Sequence, residues 1–264
     1  MMSVPLAFDP GIPLRLAEPG LAFEYGPNVF GPVPEVRRLD AIRPSLREPD
    51  CDGPDPVYGI AMDIGREEDR PLLEKRMLLF GAVVYAAGAL GQEPVRSQGH
   101  IHAVAPHSGW SPPEVFEIWT GRAIVYAQER AEHDPGRCIA VFAQAGDQVV
   151  VPPGWAHCVI NADPRSRMAF GAWCDRQYGF DYTGVRAHHG LAWFPLLKES
   201  GAIAWERNRH YAESILEHRG PRPYTELGLD AERSLYSQFL ENPDSVMFVS
   251  EPQRAADCWP TFIP

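Results

Sequence analysis

Three histidines and one glutamate stand at spacings that would let them share a metal ion. His100 and His102 are two residues apart in GHIH, Glu114 begins EVFE, and His157 ends PPGWAH. Imidazole and carboxylate groups bind divalent transition metals, and a set of four protein ligands leaves coordination positions open for a substrate. The pattern therefore predicts a metal centre.

Such a centre needs strands to position its ligands, because alternate residues of a strand share one face. His100 and His102 would then project to the same side of a sheet. In EVFE, Glu114 shares a face with Phe116, whereas Glu117 lies on the opposite face. Glu114, and not Glu117, is therefore the predicted carboxylate ligand.

The segments around these residues indicate an all-β fold. Short β-prone runs separated by Gly, Pro, Asp or Asn follow one another from residue 79 onwards, including AIVYAQE, CIAVFAQ and QVVVPP. Closely spaced strands with turn signals are typical of a β-sandwich or barrel. The intervening segments are too short for the helical crossovers of a parallel sheet. We expect a β-barrel over residues 55–195.

Two flanking parts complete the predicted organisation. Residues 1–55 are rich in proline and acidic residues and are predicted to form an irregular N-terminal arm, and residues 196–264 a partly helical C-terminal extension packed on the barrel. Apolar periodicity predicts helices at residues 34–42, 68–79, 208–218 and 231–240. Asp230 is the predicted N-cap of the last one.

Net charge, cysteine content and apolar stretches indicate which partners and compartments to expect. The 264-residue chain has a net charge of -11, so we expect no binding to nucleic acid or anionic membrane. An odd number of cysteines without paired spacing indicates free thiols in a reducing compartment. We find no signal-peptide pattern and no apolar stretch long enough to span a bilayer, which predicts a cytoplasmic protein. The cysteines are Cys51, Cys138, Cys158, Cys174 and Cys258.

The order of these motifs resembles the cupin superfamily. Within it, the chain is similar to the cupin-type (archaeal-type) glucose-6-phosphate isomerases. The similar segments are PVY (residues 56–58), SQGHIH (97–102), EVFE (114–117), VPPGWAH (151–157) and GFDY (179–182). The resemblance covers about residues 55–190 and leaves both flanking parts unexplained.

The resemblance implies a cupin (jelly-roll-like) β-barrel that binds a divalent transition metal through His100, His102, Glu114 and His157. The metal is typically iron(II), with manganese, nickel or zinc as alternatives. It also implies a phosphosugar substrate and a homodimer, and it places Ser97 near the sugar phosphate.

The implied reaction interconverts glucose 6-phosphate and fructose 6-phosphate through a cis-enediolate, whose negative charge the metal would stabilise. Glu114 is the predicted catalytic base, because strand alternation places it at the metal; a hydride shift would need no base. Arg96 is the predicted bidentate donor to phosphate. The Gly99 amide, Tyr58 and Tyr182 are further predicted substrate contacts.

Other positions depart from the family pattern and keep alternatives open. Phe116 and Phe180 stand where the family has a tyrosine and a histidine, and Gly154 stands where relatives often have a tyrosine. The loop of residues 103–113 is also longer than usual. These changes suit a metal-dependent cupin acting on a different sugar, an iron oxygenase, or a non-catalytic cupin that binds sugar or metal.

Overall fold

The computed structural model describes residues 2–264, and most of the regular structure is strand. The strands are β1 (Met2–Val4), β2 (Leu14–Glu18), β3 (Phe23–Tyr25), β4 (Val29–Phe30), β5 (Glu35–Arg37), β6 (Tyr58–Met62), β7 (Gly65–Arg66), β8 (Leu78–Tyr85), β9 (Ala89–Leu90), β10 (Glu93–Pro94), β11 (Ile101–His102), β12 (Glu114–Thr120), β13 (Arg122–Gln128), β14 (Cys138–Gln144), β15 (Gln148–Val151), β16 (Ala156–Asn161), β17 (Met168–Asp175), β18 (Phe180–Asp181), β19 (Trp193–Leu197), β20 (Ile203–Arg207) and β21 (Leu216–Arg219). The helices are α1 (Leu39–Ile42), α2 (Arg70–Lys75), α3 (Thr183–Ala187) and α4 (Leu235–Glu241), with 3₁₀ turns at Arg43–Ser45, Thr225–Leu227, Pro252–Ala255 and Trp259–Thr261.

Two sheets form the centre of the molecule. The larger has the order β15-β12-β17-β8-β6-β5 and is antiparallel throughout, and the smaller has the order β16-β13-β14-β21. Phe116 and Phe170 of the first sheet share one buried cluster with Val125, Val141 and Val159 of the second, so the sheets face each other. The predicted all-β, jelly-roll-like fold is confirmed. Over residues 2–264 the two sheets pack as a sandwich and do not close into one continuous hydrogen-bonded barrel.

Both flanking parts contribute strands to these sheets. In the arm, β5 pairs with β6 at the edge of the larger sheet. In the extension, β21 pairs in parallel with β14 of the smaller sheet. The division at residues 55 and 195 stays a prediction, but the pairing shows that the arm and the extension are integrated with the central sheets.

The C-terminal extension covers the outer face of the larger sheet. Trp119 and Trp173 belong to the buried cluster on that face, and Tyr236 and Phe239 of α4 pack on the ring of Trp173. Residues of β12 are therefore buried on both faces, and burial of this much aromatic surface is a main contribution to stability.

The helix predictions were accurate only in part. Residues 34–42 contain β5 before the short α1, and α2 ends at Lys75, because β8 begins at Leu78. The helix predicted at 208–218 is wrong, since the end of that segment pairs with β14 as a strand.

The last predicted helix exists but begins later than expected. It is α4, and its N-cap is Ser234, whose hydroxyl accepts a hydrogen bond from the Ser237 amide at 3.3 Å, and not Asp230. All five cysteines are free thiols, as predicted. Within residues 2–264, none of the helices has both the length and the apolar character of a membrane span.

Candidate metal centre

The predicted quartet comes together between the two sheets. His102 lies in β11, Glu114 begins β12, His157 lies in β16, and the backbone of His100 pairs with that of His157. One ligand atom from each residue lies within 4.8 Å of all the others. Oε2 of Glu114 is 3.1 Å from Nε2 of His157 and 3.3 Å from Nε2 of His102. The four side chains thus converge on one point.

Backbone carbonyls fix the orientation of two of the imidazoles. Nδ1 of His102 lies 3.0 Å from the Pro112 carbonyl oxygen, and Nδ1 of His157 lies 3.0 Å from that of Trp155. Because a carbonyl oxygen only accepts hydrogen bonds, both Nδ1 atoms carry the proton. In the neutral form of each ring, Nε2 then presents a lone pair to the centre, as it does in histidines that bind a metal through Nε2.

The buried polar atoms at the centre fit a metal ion. In the described chain, Nε2 of His100 and Nε2 of His102 are buried without a hydrogen-bond partner. Such atoms are costly unless something satisfies them. A divalent cation would accept these lone pairs together with the oxygen of Glu114, and three imidazoles with one carboxylate are a suitable donor set for it.

The charges of the ligands also suit a cation. Burial opposes ionisation of Glu114, but its close contacts with His102 and His157 outweigh that effect and hold the pKa of this carboxyl well below its usual range. Burial, reinforced by the two other imidazoles, lowers the pKa of His100 well below its ordinary value. Burial acts in the same direction on His102, yet the Glu114 carboxylate prevails and raises the pKa of His102. Glu114 thus offers an anionic ligand atom, and His100 favours the neutral form, which could bind a metal.

Two further contacts support the ligands from behind. The Cys174 thiol donates to Oε1 of Glu114 at 3.2 Å, so that the other oxygen faces the histidines. In the loop of residues 103–113, Nε2 of His107 lies 2.6 Å from the buried carboxylate of Asp175. This loop carries Pro112, the residue whose carbonyl orients His102.

A one-residue shift in pairing separates Arg96 from the quartet. The segment before β11 runs antiparallel to β16, with Arg96 opposite Ile160 but His100 opposite His157, so the register slips by one residue between them. Gly99 lies in the slipped part with φ +89°, a conformation that favours glycine. Arg96 and His100 therefore do not share a face, although they are separated by an even number of residues.

Arg96 forms buried structural contacts and does not line the cavity. Its Nε donates to Oε2 of Glu93 at 2.6 Å, and its Nη2 donates to the Ser45 carbonyl at 2.7 Å. Both members of this ion pair are almost completely buried. The guanidinium thus ties the arm to the central sheets, and the geometry gives no support to the phosphate contact predicted for Arg96.

Three members of the quartet, His100, Glu114 and His157, line a cavity that opens to solvent. Its walls are mostly apolar, and its polar members include Arg37, Tyr58, Ser97, Gln98 and Tyr182. The apolar residues include Ile60, Met62, Val83, Phe116, Val159, Phe170, Ala172 and Phe180.

The predicted substrate contacts occupy different positions relative to this cavity. Tyr58, Ser97 and Tyr182 line it, although the Ser97 hydroxyl already accepts a hydrogen bond from the Val159 amide at 3.2 Å. Gly99 contributes the backbone turn and is not part of the lining. Their substrate contacts stay predictions. Sequence analysis missed Arg37, whose only signal is the polar–apolar–polar alternation of Glu35, Val36 and Arg37.

Two of the three departures from the family pattern also reach the cavity. Phe116 and Phe180 lie near the metal ligands, with ring centroids 6.0 Å from His157 and 4.4 Å from His100, respectively. Gly154 lies in the turn before β16 with φ +78°, and its amide donates to the Ser111 hydroxyl at 3.1 Å. Phe116 and Phe180 make the site less polar than a tyrosine and a histidine would. Glycine at position 154 can adopt the positive φ of the turn.

Comparisons with known proteins identify a family for most of the chain. The family model described as glucose-6-phosphate isomerase matches residues 43–214. No curated protein matches the chain significantly.

Solved structures similar to the chain include three plant and bacterial proteins. Vicilin from Corylus avellana (hazelnut) is 12% identical with a TM-score of 0.37, over 59% of this chain and 36% of that one. Vicilin from Capsicum annuum is 10% identical with a TM-score of 0.33, over 47% and 30%. Oxalate decarboxylase from Bacillus subtilis is 16% identical with a TM-score of 0.33, over 50% and 27%. The matched part spans about a third of the length of these proteins.

Proposed function

We propose, from the premise that the chain belongs to the glucose-6-phosphate isomerase family, that it is a metal-dependent aldose–ketose isomerase that interconverts glucose 6-phosphate and fructose 6-phosphate. The observation that carries this proposal is the quartet of His100, His102, Glu114 and His157, which has two buried, unpartnered Nε2 atoms and borders a cavity that opens to solvent. Fe2+ is the metal we propose first, with Mn2+, Ni2+ and Zn2+ as alternatives.

The reaction moves a proton between two neighbouring carbons of the sugar. A divalent cation held by the quartet would act as a Lewis acid toward the negative charge that develops on the substrate oxygens. Glu114 is ionised and lines the cavity, which makes it the group that would accept the proton and return it to the adjacent carbon.

The other cavity residues would position the sugar and exclude water. The hydroxyls of Tyr58 and Tyr182 are available as partners for sugar oxygens, and the ring of Phe116 covers the site beside His157. Apolar walls keep the effective dielectric low, so charges at the metal ligands act strongly on the substrate.

The test is a coupled assay that converts fructose 6-phosphate into glucose 6-phosphate. Chelated protein should be inactive and should regain activity when iron(II) or manganese is added. If the protein holds one metal per chain and still shows no turnover of fructose 6-phosphate, the proposed substrate is wrong.

A second candidate function is a metal-dependent reaction on a different substrate, and the apolar lining favours it. Phe116 and Phe180 place aromatic rings beside two of the ligands. A panel of aldose and ketose phosphates and a measurement of oxygen consumption with iron(II) separate another sugar isomerase from an oxygenase. Metal and sugar binding without turnover of any of these would indicate a non-catalytic cupin.

A further inference from the structure

An anionic substrate needs a cationic group at the cavity, and Arg96 does not supply one. The chain has a net charge of -11, so the overall field opposes a phosphate. Among the described residues that line the cavity, Arg37 is the one arginine or lysine. It belongs to the arm and lies outside residues 43–214, the part matched by the family model. The match to the family model therefore gives no information about the role of Arg37.

Strand pairing directs Arg37 into the cavity. In the ladder between β5 and β6, Arg37 stands opposite Tyr58 and Glu35 stands opposite Ile60. Opposite residues of a ladder project to the same face of the sheet, and both Tyr58 and Ile60 line the cavity. Val36, between them, points the other way and is 44% exposed.

The present partner of Arg37 can be displaced. Nη1 of Arg37 donates to Oε1 of Glu35 at 2.6 Å, but the Glu35 side chain is 64% exposed and that of Arg37 is 28% exposed. Exposed ion pairs contribute little to stability. A guanidinium also has more donors than one carboxylate oxygen uses, and its planar arrangement suits bidentate contact with phosphate.

Neighbouring side chains shape the same end of the cavity. Tyr182 lines the cavity, and the Arg186 guanidinium lies over its ring, 4.9 Å from the centroid. Nε of Arg186 donates to the side-chain oxygen of Gln98 at 3.1 Å, and Gln98 is another lining residue. Arg186 thus holds two lining side chains in place and adds a second positive charge behind Tyr182.

We propose that Arg37 is a specificity-determining residue that binds the phosphate monoester of the substrate while the sugar reaches the metal ligands. Phosphate would replace Glu35 as the partner of the guanidinium, with the Tyr58 hydroxyl as a neighbouring donor. This inference rests on the proposed function in so far as the substrate is a sugar phosphate. It adds that an arm outside the matched family region completes the site.

The test compares Arg37→Ala and Arg37→Lys with Arg38→Ala. Arg38 is the matched control, because it is the next arginine and its side chain is 64% exposed and paired with Asp55. Charge-assisted hydrogen bonds of this kind correspond to roughly 10- to 100-fold in affinity. KM for fructose 6-phosphate should rise by that factor in Arg37→Ala and by less in Arg37→Lys, with kcat changed by less than about threefold. Arg38→Ala should match the wild type, and thermal unfolding should show that all variants are folded.

A binding measurement separates this inference from the proposed function. Calorimetry on metal-loaded protein would compare fructose 6-phosphate, fructose and inorganic phosphate. Binding of the phosphate compounds that is lost in Arg37→Ala supports the inference even if no isomerase activity is found. An active enzyme whose KM and binding are unchanged in Arg37→Ala overturns it while leaving the isomerase proposal intact. Absence of binding by both phosphate compounds to the wild type also overturns it.

Discussion

The thiol of Cys174 donates to Oε1 of Glu114 at 3.2 Å, while Oε2 of the same carboxylate lies 3.1 Å from Nε2 of His157. One oxygen is thereby held away from the centre and the other is directed toward it. The contact joins adjacent strands, since β12 and β17 pair in the larger sheet.

Removal of this thiol should weaken metal binding. Cys174→Ala leaves a buried carboxylate oxygen without its donor, and loss of such a supporting contact typically costs about 10- to 100-fold in metal affinity. Cys174→Ser keeps a donor and should stay closer to the wild type. Competition with a chelator for manganese measures the affinities, with Cys258→Ala as a control outside the site. Equal affinities in all four proteins would show that the thiol has no influence on Glu114.

Glu114→Gln should separate proton transfer from a hydride shift. The amide cannot accept the substrate proton, so kcat should fall by about 10²- to 10⁴-fold. The assay must be run at equal metal content, because the carboxylate is also a ligand. Glu217→Gln, which changes an exposed carboxylate of β21, is the control. Near-normal turnover by Glu114→Gln with metal bound would exclude this residue as the base and favour the hydride shift.

Metal removal should lower thermal stability, and His157→Ala should abolish the response. A ligand present at 100 times its Kd stabilises a folded protein by about 2.7 kcal/mol, which corresponds to a rise in Tm of about 5–10 °C for a chain of this size. Scanning calorimetry of chelated and metal-loaded protein checks this. The exposed His133 gives the control His133→Ala, which should respond like the wild type. A response of normal size in His157→Ala would contradict the assigned ligand set.

Stability should fall as pH rises from about 5 to 9 because of Glu117. Burial raises the pKa of this carboxyl from 4.5 to about 8, although the Trp119 indole and the Leu235 amide, which both donate to it, act in the opposite direction. The folded state therefore binds the proton more tightly than the unfolded state, and stability is lost between the two pKa values, by up to roughly 3–5 kcal/mol.

Glu117→Gln isolates that contribution. Urea unfolding at pH 6 and pH 9 should show a smaller difference in the variant than in the wild type. The amide is expected to lower stability at both pH values, because its NH₂ group must face one of the two N–H donors. An unchanged pH slope would mean that Glu117 is ionised in the folded protein.

Phe239→Ala should loosen the C-terminal extension. The ring is 1% exposed and lies 5.0 Å from the Trp173 ring, so its removal leaves a cavity that costs about 3–5 kcal/mol. Phe142→Ala, at a ring that is 39% exposed, should cost less than about 1 kcal/mol. Denaturant unfolding compares the two. A small loss in Phe239→Ala would show that the extension contributes little to the stability of the sheets.

The convergence of His100, His102, Glu114 and His157 was predictable, because it depends on local rules. Alternation in a strand places Glu114 toward the centre and Glu117 on the opposite face, and the structure confirms both. The position of Arg96 was not predictable, because it depends on a register shift that the spacing of residues does not reveal. Arg37 was missed for a related reason. Its place at the cavity results from pairing with a strand that begins 21 residues later, at Tyr58.

Because of the turn at Gly99, the directions of Arg96 and His100 depend on the number of residues between them. Arg96 anchors the arm on one side of the segment and His100 joins the quartet on the other, so inserting or deleting a single residue between them would turn one of the two to the opposite face. A surface loop tolerates insertions and deletions, whereas this segment should not. An enzyme engineer therefore has to keep the number of residues between Arg96 and His100.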